Sequence, residues 1–245
     1  MARIKTKTAY LCSACGDDFP KWNGQCPSCK DWGTLSEFKI SAKKNGRDHK
    51  PRETKSFKEV LIADSSERIP TGLLEADRVL GGGLLSGSLI LLGGNPGVGK
   101  STLALQICSG INRKALYISA EESEEQVALR ARRLNIKPDK LFLSGENELD
   151  GIISHIDRIQ PDLVIVDSIQ TVMNSGLDSL PGSPSQIRDC GQRLLEVSKQ
   201  KNVTILIVGH VTKDGSIAGP KMLEHMVDTV LYMDGDDRYD HRILR

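Results

Sequence analysis

From Ile69 onward, short apolar runs alternate with amphipathic stretches. This is the pattern of strand–helix units that build an α/β domain, a mostly parallel sheet with flanking helices. The runs predict strands at "SLILLGG" (88–94), "ALYISA" (115–120), "LFLS" (141–144), "LVIVDS" (163–168) and "VTILIVGH" (203–210). Between them, Leu103, Ile107 and Ile111 recur every four residues and predict a helix with one buried stripe. Ser123 and Gln126 form a capping box that opens the helix "EEQVALRARRL". Ile152, Ile153, Ile156 and Ile159 give a further apolar helix face ahead of Pro161. The tail "TVLYMDGDDRYDHRILR" breaks the alternation and predicts two antiparallel strands around an acidic turn.

The front of the chain is built differently. Residues 10–38 hold half of the ten aromatic residues and both tryptophans, Trp22 and Trp32. Residues 39–58 are polar, basic and unpatterned, which predicts a flexible linker, either a plain tether or a phosphate contact. The expected organisation is a small module at 1–38, a linker at 39–58 and a main domain at 59–245. The net charge of +1 conceals a division: residues 39–58 carry eight Lys/Arg against two Asp/Glu, whereas 59–245 carry twenty against twenty-six. Any nucleic-acid contact therefore cannot rest on a basic main domain. No apolar run approaches the roughly 18 residues of a membrane span, and "MARIKTKTAYLC" offers no apolar signal segment, so a cytoplasmic protein without membrane partners is expected.

Cys12, Cys15, Cys26 and Cys29 form two Cys-x-x-Cys pairs separated by ten residues. Each pair can aim two thiolates at one ion, and the second pair completes a tetrahedral shell. A pair of redox dithiols is the alternative. About thirty residues cannot bury enough apolar surface to fold alone, so metal is expected, with zinc favoured over iron. Trp22 and Trp32 either cover this small core, the favoured expectation, or stack on bases. Cys108 and Cys190 stand alone and are expected in the core.

Gly94, Asn95, Pro96, Gly97, Val98, Gly99, Lys100 and Ser101, followed by Thr102, match the Walker A pattern between a strand and a helix. Backbone N–H groups of such a loop converge on phosphates, the lysine reaches the outer phosphates, and the serine hydroxyl meets magnesium. Asp167, at the end of an apolar strand, is the matching Walker B acid, reaching magnesium directly or through water. Glu121 and Glu122 offer a group to activate water. His210 is either a sensor of the terminal phosphate or structural, and Lys213 in the following loop could reach a nucleic-acid backbone. The loop "NSGLDSLPGSPSQ" after Asp167 reads as flexible.

The cysteine segment with "KWNGQCPSC" and "DWGTL", then "ERIPTG", "DRVLGGG", the Walker loop, "YISAEES" and "GHVTKDGSIAGPKMLEHMVDTVLY" together closely resemble the RadA (Sms) family of bacterial DNA repair proteins. The resemblance implies a RecA-like P-loop NTPase core behind a zinc-ribbon-like module, with structural zinc and magnesium with ATP as cofactors. It implies a DNA-dependent ATPase acting on single-stranded DNA and on recombination intermediates by branch migration. A homo-oligomer follows, hexameric in the full-length family, with a RecA-type recombinase or a replicative helicase loader as partner. By position it implies Cys12, Cys15, Cys26 and Cys29 as zinc ligands, Lys100 and Ser101 as phosphate and magnesium contacts, and Asp167 as the Walker B acid. Glu121 matches the catalytic glutamate, with Glu122 beside it, and His210 falls near the γ-phosphate sensor. Family members continue into a Lys-Asn-Arg-Phe-Gly motif and a Lon-protease-like domain, which this sequence, ending at Arg245, does not contain. Stable rings and full motor activity are expected to depend on those parts. An ATP-switched binder of DNA or a recombinase, without motor activity, is the competing expectation.

Overall fold

The structure is a computed structural model that describes residues 7–12, 17–40, 67–137, 139–177, 179–210, 222–235 and 241–245, with Thr54, Ser56 and Lys58. The remainder of the linker, Cys15, Lys213 and the acidic turn before His241 lie outside the described residues.

The main domain is laid out around seven strands. They are β6 (Leu89–Gly94), β7 (Ala115–Ser119), β8 (Leu141–Ser144), β9 (Leu163–Asp167), β10 (Thr204–Val208), β11 (Thr229–Gly235) and β12 (Arg242–Leu244). Their order across the sheet is β12-β11-β6-β10-β9-β7-β8, all parallel except β12, which is antiparallel to β11. Strand β10, late in the chain, is thereby inserted between β6 and β9. The observed strands agree with the sequence expectation to within a residue or two at each end.

Strands covered on both faces must be apolar throughout, and β6, β7, β9 and β10 are buried along their whole length. Because side chains alternate across a strand, each strand feeds two cores. Ile90, Leu92, Tyr117, Ile165 and Leu206 face one side, packed with Leu105, Ile107 and Cys108 of α2 (Lys100–Gly110) and Val127 of α3 (Glu124–Arg133). Leu89, Leu91, Leu116, Val164 and Ile205 face the other, against α4 (Leu149–Ile159) and α5 (Pro184–Lys201). The capping box is formed as expected, with the Ser123 hydroxyl accepting from Gln126 N and the Gln126 side chain accepting from Ser123 N. Cys108 and Cys190 are core residues, and burial pushes the Cys190 thiol up to about 12. A short helix α1 (Leu74–Val79) and a two-stranded ribbon, β4 (Arg68–Ile69) with β5 (Leu84–Leu85), precede β6.

The front module is a three-stranded antiparallel sheet, β2 (Asp18–Phe19), β1 (Lys7–Cys12) and β3 (Leu35–Ile40), in that spatial order. Strand β3 runs to Ile40, two residues into the stretch expected to be linker. Its core is minute: among the described residues Cys12, Cys26 and Leu35 form a buried cluster with Tyr10, Phe19 and Cys29 packed against it, and Ala9 and Leu11 of β1 are buried as well. The tryptophans do not cover it. Trp22 is 61% exposed and Trp32 75% exposed, which corrects the expectation that they shield this core.

Candidate nucleotide site and metal module

The carboxyl ends of β6, β7, β9 and β10 meet at one edge of the sheet, where open α/β sheets place their ligands. Strand β6 ends at Gly94, whose φ is 150°. A Cβ there would lie 2.3 Å from the Met233 carbonyl oxygen of β11, so the passage of β11 admits only glycine. Gly99 is the N-cap of α2 at φ 113° and contributes no side-chain cap. The first N–H groups of α2 are thus left without a capping side chain, which is the arrangement that receives an anion. The terminal hairpin braces this loop from outside, with Arg242 Nε donating to the Val98 carbonyl at 3.1 Å.

Lys100 is 3% exposed, and its Nζ donates to the carbonyls of Gly94 at 2.8 Å and Asn95 at 2.9 Å. An ammonium group has three protons to give, so one remains for a phosphate oxygen. Burial lowers the Lys100 pKa, while Asp167 and Glu121 raise it. Ser101 and Thr102 follow in the first turn of α2, half-buried.

Asp167 closes β9 and is 7% exposed. The Tyr117 hydroxyl, from the neighbouring strand, donates to Asp167 Oδ2 at 2.5 Å. Burial, reinforced by the Asp167 charge, raises the Tyr117 phenol far above its ordinary value and keeps it a donor. One carboxylate oxygen is held in this way.

Glu121 lies just beyond β7. Ser168 Oγ donates to its Oε1, and His210 Nε2, at the end of β10, is 3.2 Å from Oε1 and 3.4 Å from Oε2. A carboxylate can only accept, so Nε2 carries the proton. The His210 hydrogen bond holds Glu121 below the usual carboxylate range, with burial opposing and Ser168 and Lys100 assisting. Among the described residues, His210 Nδ1 is buried with no hydrogen-bond partner. Glu122 is directed elsewhere, in an ion pair with Arg130 of α3. The structure thus gathers Lys100, Asp167, Glu121 and His210 and leaves Glu122 outside the group. Tyr117 and Ser168 were not singled out from the sequence, although a tyrosine inside a buried strand needs a partner for its hydroxyl.

The loop after Asp167 is tied down rather than loose. Gln186 of α5 accepts from Asn174 N at 2.8 Å and donates to the carbonyls of Asn174 at 3.1 Å and Ser179 at 3.0 Å.

In the front module, Cys26 and Cys29 sit on a tight knuckle, with Lys30 N donating to the Cys26 carbonyl at 2.9 Å and Cys26 N to the Asp31 carbonyl at 2.9 Å. Cys12 arrives from the end of β1. The three sulfur atoms all lie within 4.8 Å of one another, and Cys12 Sγ and Cys29 Sγ are 3.7 Å apart. Zinc–sulfur bonds of about 2.3 Å in a tetrahedron set thiolates about 3.8 Å apart, so these residues fit a zinc ion.

The AAA domain family matches residues 53–216, and the rubredoxin metal binding domain matches residues 10–37. The chain belongs to the AAA domain family. Along its whole length it is similar to proteins named DNA repair protein RadA: 46% identical over 100% of the chain to that of Listeria monocytogenes, and 48% over 98% of the chain to that of Bacillus subtilis. It is 45% identical over 98% of the chain to that of Pseudomonas aeruginosa. These alignments cover 55%, 55% and 54% of the relatives, so the chain spans about half the length of the curated relatives it matches. The resemblance read from the motifs is borne out, as is the RecA-like architecture. A KaiC-like protein from Pyrococcus horikoshii shares the fold at 18% identity and a TM-score of 0.59, covering 73% of this chain and 87% of that one. With these matches come structural zinc for the module and magnesium with ATP for the core. Among the described residues, no helix is long and apolar enough to cross a membrane.

Proposed function

We propose that the chain is the nucleotide-hydrolysing part of a DNA repair ATPase that acts on single-stranded DNA and recombination intermediates in the cytoplasm. The observation that carries this reading is the juxtaposition of Lys100, Asp167 and a Glu121 held ionised by His210 at one sheet edge. In it, the N–H groups of Gly94–Thr102 and the Lys100 ammonium bind the phosphates of ATP. Ser101 and Asp167 hold magnesium, which supplies charge neutralisation on the phosphate oxygens. Glu121 orients a water against the γ-phosphorus and accepts its proton as the bond to the leaving ADP oxygen breaks. His210, bonded to Glu121, senses whether the γ-phosphate is present and relays that state to the segment that follows β10, where Lys213 meets the DNA backbone. Cys12, Cys15, Cys26 and Cys29 hold the zinc of a module at 1–38, tethered through 39–58 to the ATPase domain at 59–245. The working form is a homo-oligomer, and a RecA-type recombinase or a replicative helicase loader is its protein partner.

The twenty basic against twenty-six acidic residues of the main domain leave DNA binding to the basic linker, the module and a few loop side chains. Backbone recognition through six to ten phosphates loses about 10³–10⁵ in affinity between 50 and 200 mM salt. Oligonucleotide binding by fluorescence anisotropy, in the presence of a non-hydrolysable ATP analogue, is expected to fall this steeply. A flat salt response would refute phosphate-backbone binding.

A further inference from the structure

Trp22 and Trp32 are large, exposed and side by side. Both belong to the hairpin that carries the Cys26–Cys29 knuckle: Gln25 pairs with Trp32 in an antiparallel bridge, and Gly33 N donates to the Gly24 carbonyl at 2.9 Å. A Cβ on Gly24 would sit 3.6 Å from Trp32 Cζ3 and 3.8 Å from Trp22 Cη2. The two indoles therefore flank the half-buried Gly24 backbone, a shallow notch between the rings into which residue 24 sends no side chain.

The rim decides between occupants. Residues 20–34 contain no Leu, Ile, Val, Met or Phe, and Lys21, Asn23, Gln25, Ser28, Lys30 and Asp31 of the same segment are all exposed. Protein-docking anchors sit inside a ring of contacts that excludes water, and this rim is polar. An unpaired nucleobase suits it better, since its π-face covers an indole while its edges stay in water. Its phosphates would meet the exposed Lys21 and Lys30.

We propose that the Trp22–Trp32 notch is a single-stranded nucleic-acid site in which unpaired bases stack on the two indoles. The inference rests on the DNA reading above and locates part of it on the zinc module. Since these are the two tryptophans of the chain, intrinsic emission reports on the notch alone.

The test titrates the full chain with oligo-dT, reading tryptophan emission, and anisotropy with a labelled copy. Quenching that saturates together with anisotropy is expected. Trp22→Ala and Trp32→Ala should each weaken binding about tenfold, equivalent to about 1.4 kcal/mol and within the range of base–aromatic stacking. Zinc content verifies that each variant is folded. Trp22→Phe and Trp32→Phe, which keep a ring, are expected to retain most of the affinity and serve where an alanine variant fails to hold metal. Oligo-dT bound with unchanged emission and undiminished in the variants would overturn the notch while sparing DNA binding elsewhere on the chain. Absence of any oligonucleotide binding would overturn the DNA reading and the notch with it. Quenching by a recombinase but not by oligo-dT would overturn the nucleic-acid assignment in favour of a protein-docking face.

Discussion

Replacing Glu121 by glutamine is expected to lower the rate of ATP hydrolysis by about 10²–10⁴-fold, the usual worth of a positioned general base, and to leave nucleotide affinity nearly unchanged. The amide can still accept from Ser168 and His210 but cannot take a proton from water. The neighbouring Glu122→Gln provides the contrast. Glu122 is paired with Arg130 of α3, and its loss costs a partly exposed ion pair worth about 0–1 kcal/mol. Turnover by Glu122→Gln is expected to stay close to wild type. Steady-state phosphate release by the two variants checks the assignment, and loss of turnover in Glu122→Gln with retention in Glu121→Gln would reverse it.

Stripping zinc with a chelator is expected to unfold the front module and to spare nucleotide binding. In the buried cluster of Cys12, Cys26 and Leu35, the two cysteines are the expected zinc ligands, so the apolar burial that remains once the metal leaves is limited to Leu35 with Ala9 and Leu11. Structural zinc supplies about 10–16 kcal/mol in domains of this kind. The main domain has its own two cores on either face of the sheet, and it meets the module through the exposed ion pair of Arg188 with Asp18 at 3.2 Å, worth about 0–1 kcal/mol. Metal removal should shift the tryptophan emission and erase the β1–β3 pairing in hydrogen exchange, while binding of a fluorescent ATP analogue persists. A module that keeps its protected amides without metal would contradict this assignment.

Strands β6, β7, β9 and β10 were legible because each is buried on both faces, and such strands read as unbroken apolar runs. The Ser123–Gln126 capping box was legible because it is local, and the Walker loop because its glycines answer backbone demands within a few residues. What the pattern did not carry was spatial neighbourhood. The insertion of β10 between β6 and β9 brings His210 to Glu121 across 89 residues of chain, and no periodicity encodes strand order. Tyr117 reads as one more apolar position in "ALYISA", yet its hydroxyl holds Asp167 on the adjacent strand. Ser168 was visible as the end of "LVIVDS", but its bond to Glu121 is likewise a contact between strand ends. The tryptophans misled for a different reason. A small module with most of its aromatics nearby looks as though it must bury them, whereas the thiolates of a metal site take the place of an apolar core.

The measurement that bears most directly on the account is steady-state ATP hydrolysis by the 245-residue chain, with and without single-stranded DNA, beside Lys100→Ala. The account predicts magnesium-dependent turnover that rises with DNA and disappears in the variant. ATP bound without turnover under either condition would contradict it and leave the nucleotide as a conformational ligand.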